Sequence, residues 1–226
     1  MRREHIVKSY DQELEQLKSY ILQMGYEAMR QLDRSVEVLI NRDEELAQEV
    51  IRGDDRVNKL QNEIDNLTVR LIATRQPMAV DLRHIISGLK IAADLERIAD
   101  NAARIAKHIK ELNHIAFDKP IELIISMAEL IKNMLRDLME AYEEMDVNKA
   151  IMVWEQDRLV DRIYSDLLVH LRDFINQDAV NINAYTSLIF VARSWERVGD
   201  HIKNMAEDIH YIVMGEPYQE AIEMEI

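Results

Sequence analysis

Cysteine is absent from the 226 residues, which excludes disulfides, thiolate metal sites and cysteine nucleophiles and leaves oxygen and imidazole as the only ligands for any metal. Proline and glycine are scarce, at three and five residues, so the chain has little of the punctuation that sheets and long loops need. What it has instead is Leu, Ile, Ala, Glu, Arg and Met, good helix formers, and the expected fold class is all-α. Basic charge is in deficit: 28 Lys and Arg stand against 42 Asp and Glu, a formal net charge of -14. Without a basic surplus to neutralise phosphates along a duplex, nucleic acid is not an expected partner, whereas cations and basic protein surfaces are. No run of 18 apolar residues occurs, and the start MRREHIVKSYDQELEQLKSY has no apolar segment of signal-peptide type. The expectation is a soluble cytoplasmic protein. Gly-rich phosphate loops and the G-x-S-x-G elbow are missing too, which removes phosphate-loop and serine-hydrolase chemistry from the readings.

The few breakers divide the chain. A helical apolar period runs from about Tyr10 to Ile40, after which Asn41 and Glu44 have the spacing of a capping box for a second helix reaching about Gln76. Pro77 stops that helix, and Asp81 is the expected cap of a third, to about His114. FDKP separates the halves, and Pro120 opens a fourth helix to about Met145. DVNK and NQDAVNIN delimit a fifth and a sixth, the last ended by Gly215 and Pro217.

Three long helices followed by three more suggest a duplication, and the residues support it. At a fixed shift of 100, Ser87, Ala92, Glu96, Arg97, Asp100, Ala106 and Ile109 match Ser187, Ala192, Glu196, Arg197, Asp200, Ala206 and Ile209. In the second helix of each half, VIRGDDRVN at 50–58 parallels VWEQDRLVD at 153–161, so Asp54 answers to Asp157 and Asn58 to Asp161. The expected organisation is two tandem three-helix bundles, residues 1–115 and 116–226.

Glu96 and Asp100 in DLERIAD, like Glu196 and Asp200 in SWERVGD, sit one helical turn apart as like-charge pairs that each cost about 0.2 to 0.5 kcal/mol. Leu95, Ile98, Ala102, Ile105 and Ile109 make the main apolar arc of the third helix, with Glu96 and Asp100 roughly opposite, so solvated surface is one reading, helped by Arg104 one turn after Asp100. Against it stand the recurrence at one phase of the repeat and the small flanks Ala93, Ala99, Ala103 and Gly199, which let another group approach. Asp157 and Asp161 border Val153, Val160, Tyr164 and Leu168, as Asp54 and Asn58 border Val50, Val57 and Ile64. Carboxylates crowded at an apolar seam need a compensating partner. Either a bound cation supplies it, with Fe, Mn, Mg, Ca or Zn suited to all-oxygen ligation, or Arg and Lys from a neighbouring helix do.

Glu-x-x-His occurs twice, at Glu111 with His114 and Glu207 with His210, the half-motif of ferritin-like di-iron carboxylate enzymes. The copies are 96 residues apart, out of phase with the repeat, which counts against that alternative. A metal-free helical adaptor is the third reading. The twelve methionines read as bundle filler, and Trp154 and Trp195 as packing residues.

With LERIAD, WERVGD and RQPMAVDLR at 75–83, the whole chain resembles the PhoU family of phosphate-uptake regulators. The resemblance implies two PhoU-type three-helix repeats in a cytoplasmic, often homodimeric protein, peripheral to the membrane through its partners only. It implies negative regulation of the phosphate regulon by contact with the phosphate ABC transporter's ATPase subunit and a sensor histidine kinase. It also implies multinuclear iron or zinc on the acidic motifs, with Glu96, Asp100, Glu196, Asp200, Asp54, Asp157 and Asp161 as metal ligands. Two departures stand out: Asn58 has no charge where Asp161 has one, and Ala99 replaces the glycine common in the family motif.

Overall fold

Helix boundaries show where local signals prevail and where packing overrides them. The computed structural model describes residues 2–112 and 119–219. The first repeat comprises α1 (Arg2–Asn41), α2 (Glu44–Arg52), α3 (Asp54–Arg75), α4 (Ala79–Lys107) and the single turn α5 (Ile109–Leu112). The second comprises α6 (Lys119–Glu144), α7 (Val147–Gln177) and α8 (Ile182–Met214), with a 3-10 turn at Ala179–Asn181 before α8. The architecture is all-α and twice repeated, as expected; the expected boundary at 115/116 and His114 lie outside the described residues.

Several boundaries differ from expectation: α1 winds from Arg2 rather than from about Tyr10, and the third helix, expected to about His114, breaks at His108 between α4 and α5. α1 runs through Asn41, and the cap of α2 is Asp43, whose carboxylate accepts from the backbone N–H of Glu45 and Leu46. The expected second helix is broken at Gly53, where the terminal amide of the buried Gln31 of α1 occupies the space a Cβ would take. Asp81 is not a cap; Met78 precedes α4 in extended conformation, and Asp81 sits in the first turn, where its carboxylate suits the helix dipole and accepts from Tyr10 Oη at 3.1 Å. The other signals hold. Gln76 ends α3 in the left-handed region before Pro77, Asp146 caps α7 through Asn148 and Lys149 N–H, and Gly215 closes α8 at φ 82.

One hydrophobic core is continuous through both repeats, joining Ile21 and Met24 of α1, Ile64 of α3, Ile98 of α4, Leu135 of α6, Val160 of α7 and Trp195 of α8. The apolar arc Leu95, Ile98, Ala102, Ile105 and Ile109 is buried throughout. Ser87, Ala92, Ala106 and Ile109 are buried, and so are their counterparts Ser187, Ala192, Ala206 and Ile209, so the duplication read in sequence is a duplication of environment. Met24, Met127, Met134 and Met205 are wholly buried filler.

The repeats meet along α4 and α8, which run antiparallel: His201 Nδ1 lies 2.8 Å from Asp94 Oδ1, Lys90 Nζ and Ser87 Oγ reach Asp208 Oδ1 at 3.1 and 3.3 Å, and His108 stacks on Phe190. Burial pushes the Asp208 carboxyl above its ordinary range; Lys90 opposes this and the Asp94 charge adds to it. The folded carboxyl then holds its proton more tightly than the unfolded one, so ionised Asp208 subtracts from stability at neutral pH. That cost is relieved as pH falls through the raised folded value and levels off below the ordinary 3.8. Asp208→Asn removes the dependence. As pH is lowered from neutral toward the ordinary 3.8, the melting temperature of the unaltered protein should move upward relative to that of the variant; a constant difference would refute this.

Candidate functional site

The acidic residues of the second repeat converge because α7 and α8 approach at a glycine. A Cβ on Gly199 would lie 3.0 Å from Asp157 Oδ1 and 3.3 Å from Val160 Cγ1, so the missing side chain is what lets α8 lie against the Asp157 carboxylate. Asp157 is buried, at 2% exposure, while Asp161 and Asp200 are exposed and Glu196 is intermediate. Burial pushes Asp157 above the usual carboxylate range, with the charges of Asp161 and Asp200 adding and the Lys203 ammonium opposing. Glu196 is raised by burial and by Asp200, with Asp161 and Asp157 adding and Arg193 opposing. These mutual effects make the four carboxylates a single electrostatic cluster.

Two cations balance it. Lys203, one turn beyond Gly199, places Nζ 3.2 Å from Asp157 Oδ2 and 4.6 Å from the centre of the Trp154 ring. Arg193 Nη1 meets Glu196 Oε1 at 2.6 Å, while Glu196 Oε2 is buried with no hydrogen-bond partner. Trp154, read in sequence as packing only, has a polar duty as well: Nε1 donates to Glu207 Oε1 at 2.9 Å. Trp195 does pack, fully buried.

The first repeat is arranged differently. Ala99 is buried at the position of Gly199, so its methyl group is accommodated. Glu96 and Asp100 are partly buried rather than solvated, with Arg97 Nε 3.4 Å from Glu96 Oε2 and Arg104 Nη2 2.7 Å from Asp100 Oδ2. The side chain of Asp54 lies outside the described part, and Asn58 is at intermediate depth. A buried carboxylate absent from the sequence reading stands nearby: Glu27 of α1, 4% exposed, meets Arg56 Nε at 2.9 Å and Arg30 Nη2 at 2.7 Å. Its i, i+3 partner Arg30 was visible in sequence, but not its burial.

The donor chemistry of the second cluster fits a hard or borderline cation: carboxylate oxygens on two facing helices, one of them buried without a partner, and two carboxyls that ionise reluctantly because of burial and of their acidic neighbours. As they stand, no three Asp, Glu or His side chains among the described residues are gathered tightly enough to hold an ion, and Asp157 and Glu196 are paired with Lys203 and Arg193. His114 lies outside the described residues, and the described members of the Glu-x-x-His pairs do not come together. His210 Nδ1 bonds to the Glu216 carbonyl and Glu207 to Trp154, whereas Glu111 follows His108, which stacks on Phe190, about 25 Å along α8 from Glu207.

Comparison with known proteins places this geometry in context. The model of the PhoU domain matches residues 21–109 and 124–209. A phosphate-specific transport system accessory protein PhoU homolog of Caulobacter vibrioides is 42% identical over 217 residues, covering 94% of this chain and 93% of that one. The Clostridium acetobutylicum homolog is 37% identical over 209 residues, covering 92% and 95%. Among solved structures, PhoU from Pseudomonas aeruginosa superposes with a TM-score of 0.88 at 35% identity, covering 92% of this chain and all of that one. The phosphate transport system regulatory protein PhoU from Streptococcus pneumoniae gives 0.87 at 28%.

Proposed function

We propose that this chain, which belongs to the PhoU family, is an accessory protein of phosphate transport that restrains uptake and phosphate-regulon signalling through protein contact, without turning over a substrate. Similarity over more than nine-tenths of both chains to relatives named as transport accessory proteins supports the accessory role. The partners we propose are the ATPase subunit of the phosphate ABC transporter and a sensor histidine kinase, reached from the cytoplasm, with a second copy of the chain as a further partner. No helix among the described residues is long and apolar enough to cross a membrane, consistent with reaching the membrane through partners.

We further propose that the acidic motifs hold metal ions, iron or zinc foremost. Asp157, Asp161, Glu196 and Asp200 would supply the second-repeat ligands, and Glu96, Asp100 and Asp54 those of the first. The observation that carries this is the four-carboxylate cluster closed over Gly199, with Glu196 Oε2 buried and unbonded. A bound ion would supply positive charge that favours the ionised forms of Asp157 and Glu196. The residues' own part is positional: Gly199 admits α7, and the Val160 side chain walls the cluster on its inner side.

Elemental analysis of protein purified without chelator or affinity metal, beside a Glu96→Ala, Asp100→Ala, Glu196→Ala, Asp200→Ala variant, tests the metal. Stoichiometric Fe, Zn or Mn should be present and lost in the variant; a folded, metal-free protein that takes up no added ion would refute it. Co-purification with both partners from phosphate-rich cells tests the contact mechanism, and its absence would overturn that part.

A further inference from the structure

We infer that Lys203 is the built-in counter-cation of the second acidic cluster, competing with a metal ion for Asp157, so that loading the site releases the Lys203 side chain from Asp157 and from the Trp154 ring. The inference rests on reading the cluster as a cation site and adds how that site is kept when empty and what moves when it fills.

The repeat itself points to it. At the shift of 100 that aligns the two halves, Lys203 corresponds to Ala103. The half with a lysine here is also the half with the fourth carboxylate, Asp161, where the other has Asn58. The first half carries its cation one residue on, as Arg104 beside Asp100 where the second half has Asn204, so the cation has moved to face the second helix in the half where that helix holds two carboxylates. Asp157, with a side chain 4% exposed, cannot be left ionised and unpaired, and the ammonium 3.2 Å away meets that need. Lys203 is 31% exposed, so its head group has a route to water when it leaves. A divalent ion on Asp157 would stand within contact range of the ammonium, and two cations in a partly desolvated site repel strongly, so the two states exclude one another. Because the ammonium is tethered one turn from Asp200, its effective concentration is high, and a free ion binds only by the margin with which it outcompetes it.

The release has an internal witness. Trp154 holds Lys203 over its ring, donates from Nε1 to Glu207, and meets the edge of Tyr218 with ring centres 5.0 Å apart. Departure of the ammonium therefore alters an indole that also touches the segment just beyond α8.

The test uses the full chain, stripped of metal, titrated with Zn2+ by calorimetry, beside Lys203→Met, which keeps the apolar stem over Trp154 and removes the charge. Lys203→Met should bind Zn2+ about tenfold more tightly than the unaltered chain. In the unaltered chain, saturating Zn2+ should speed acetic anhydride labelling of Lys203 severalfold, read by mass spectrometry, while Lys90, paired with Asp208 away from the cluster, is unchanged. The labelling decides alone if the variant fails to fold. Equal Zn2+ affinity in both proteins, or Zn2+ uptake with Lys203 labelling unaltered, would overturn the competition while leaving the cation site standing. No Zn2+ uptake by either protein would overturn both.

Discussion

A Gly199→Val protein should be less stable by about 1 to 3 kcal/mol, as expected for overpacking, and should retain no metal at the second cluster. The Cβ alone would meet Asp157 Oδ1 at 3.0 Å and Val160 Cγ1 at 3.3 Å, and the branched methyl groups go further into the same space. Neither neighbour can retreat cheaply, since Asp157 is held by Lys203 and Val160 is wholly buried. α8 must then move away from α7, and the carboxylates of the two helices part. The matching control is Ala99→Gly in the first repeat, expected to cost about 1 to 2 kcal/mol through helix propensity and the loss of one buried methyl group. Chemical denaturation of both, with metal content measured alongside, separates the effects. Unchanged stability in Gly199→Val would show that the helices are not held apart by so little.

Trp195→Ala should lower stability by about 3 to 5 kcal/mol, a large share of what a domain possesses. Trp195 heads the large, fully buried side chains and lies in the core shared by both repeats, one residue before Glu196. For a chain of this size the melting temperature should fall by about 6 to 20 °C. Its Nε1 is buried with no hydrogen-bond partner, so Trp195→Phe gives up volume but also removes an unmet donor, and should cost much less than the alanine change. Thermal melts of the pair check this; equal losses would mean that the indole nitrogen has a partner after all.

How far the sequence disclosed this arrangement depends on what kind of signal each residue leaves. The acidic pairs were legible because two constraints met at once, a one-turn spacing and a fixed repeat phase, and Asp157 was legible because the apolar period of its helix put it on the seam with Val153 and Val160. Lys203 was not, since one lysine on an exposed helix flank resembles any other until the facing helix is known. Glu27 escaped for the same reason: its burial comes from α3, which delivers Arg56 across the groove. The break at Gly53 escaped because the apolar period of Val50, Val57 and Ile64 runs straight through it, and nothing in the sequence shows that the Gln31 amide of α1 lies against it. At Asn41 and Asp43 two good caps competed within three residues, and the continued winding of α1 through Asn41 decided between them.

The antiparallel seam of α4 and α8 has a geometric corollary. With Asp94 beside His201 and His108 beside Phe190, the register sets Ile98 against Val198, the centres of the two acidic motifs. Equivalent points of the two repeats therefore cross at mid-length, as they would about a local two-fold axis, with α4 backed by α1 and α3 and α8 backed by α6 and α7. The motifs lie at the same height of the molecule, separated by one helix-to-helix spacing of about 8 to 10 Å. A side chain added at Gly199 would therefore act close to the midpoint of this seam, where any parting of α8 from its neighbours is felt by both motifs at once.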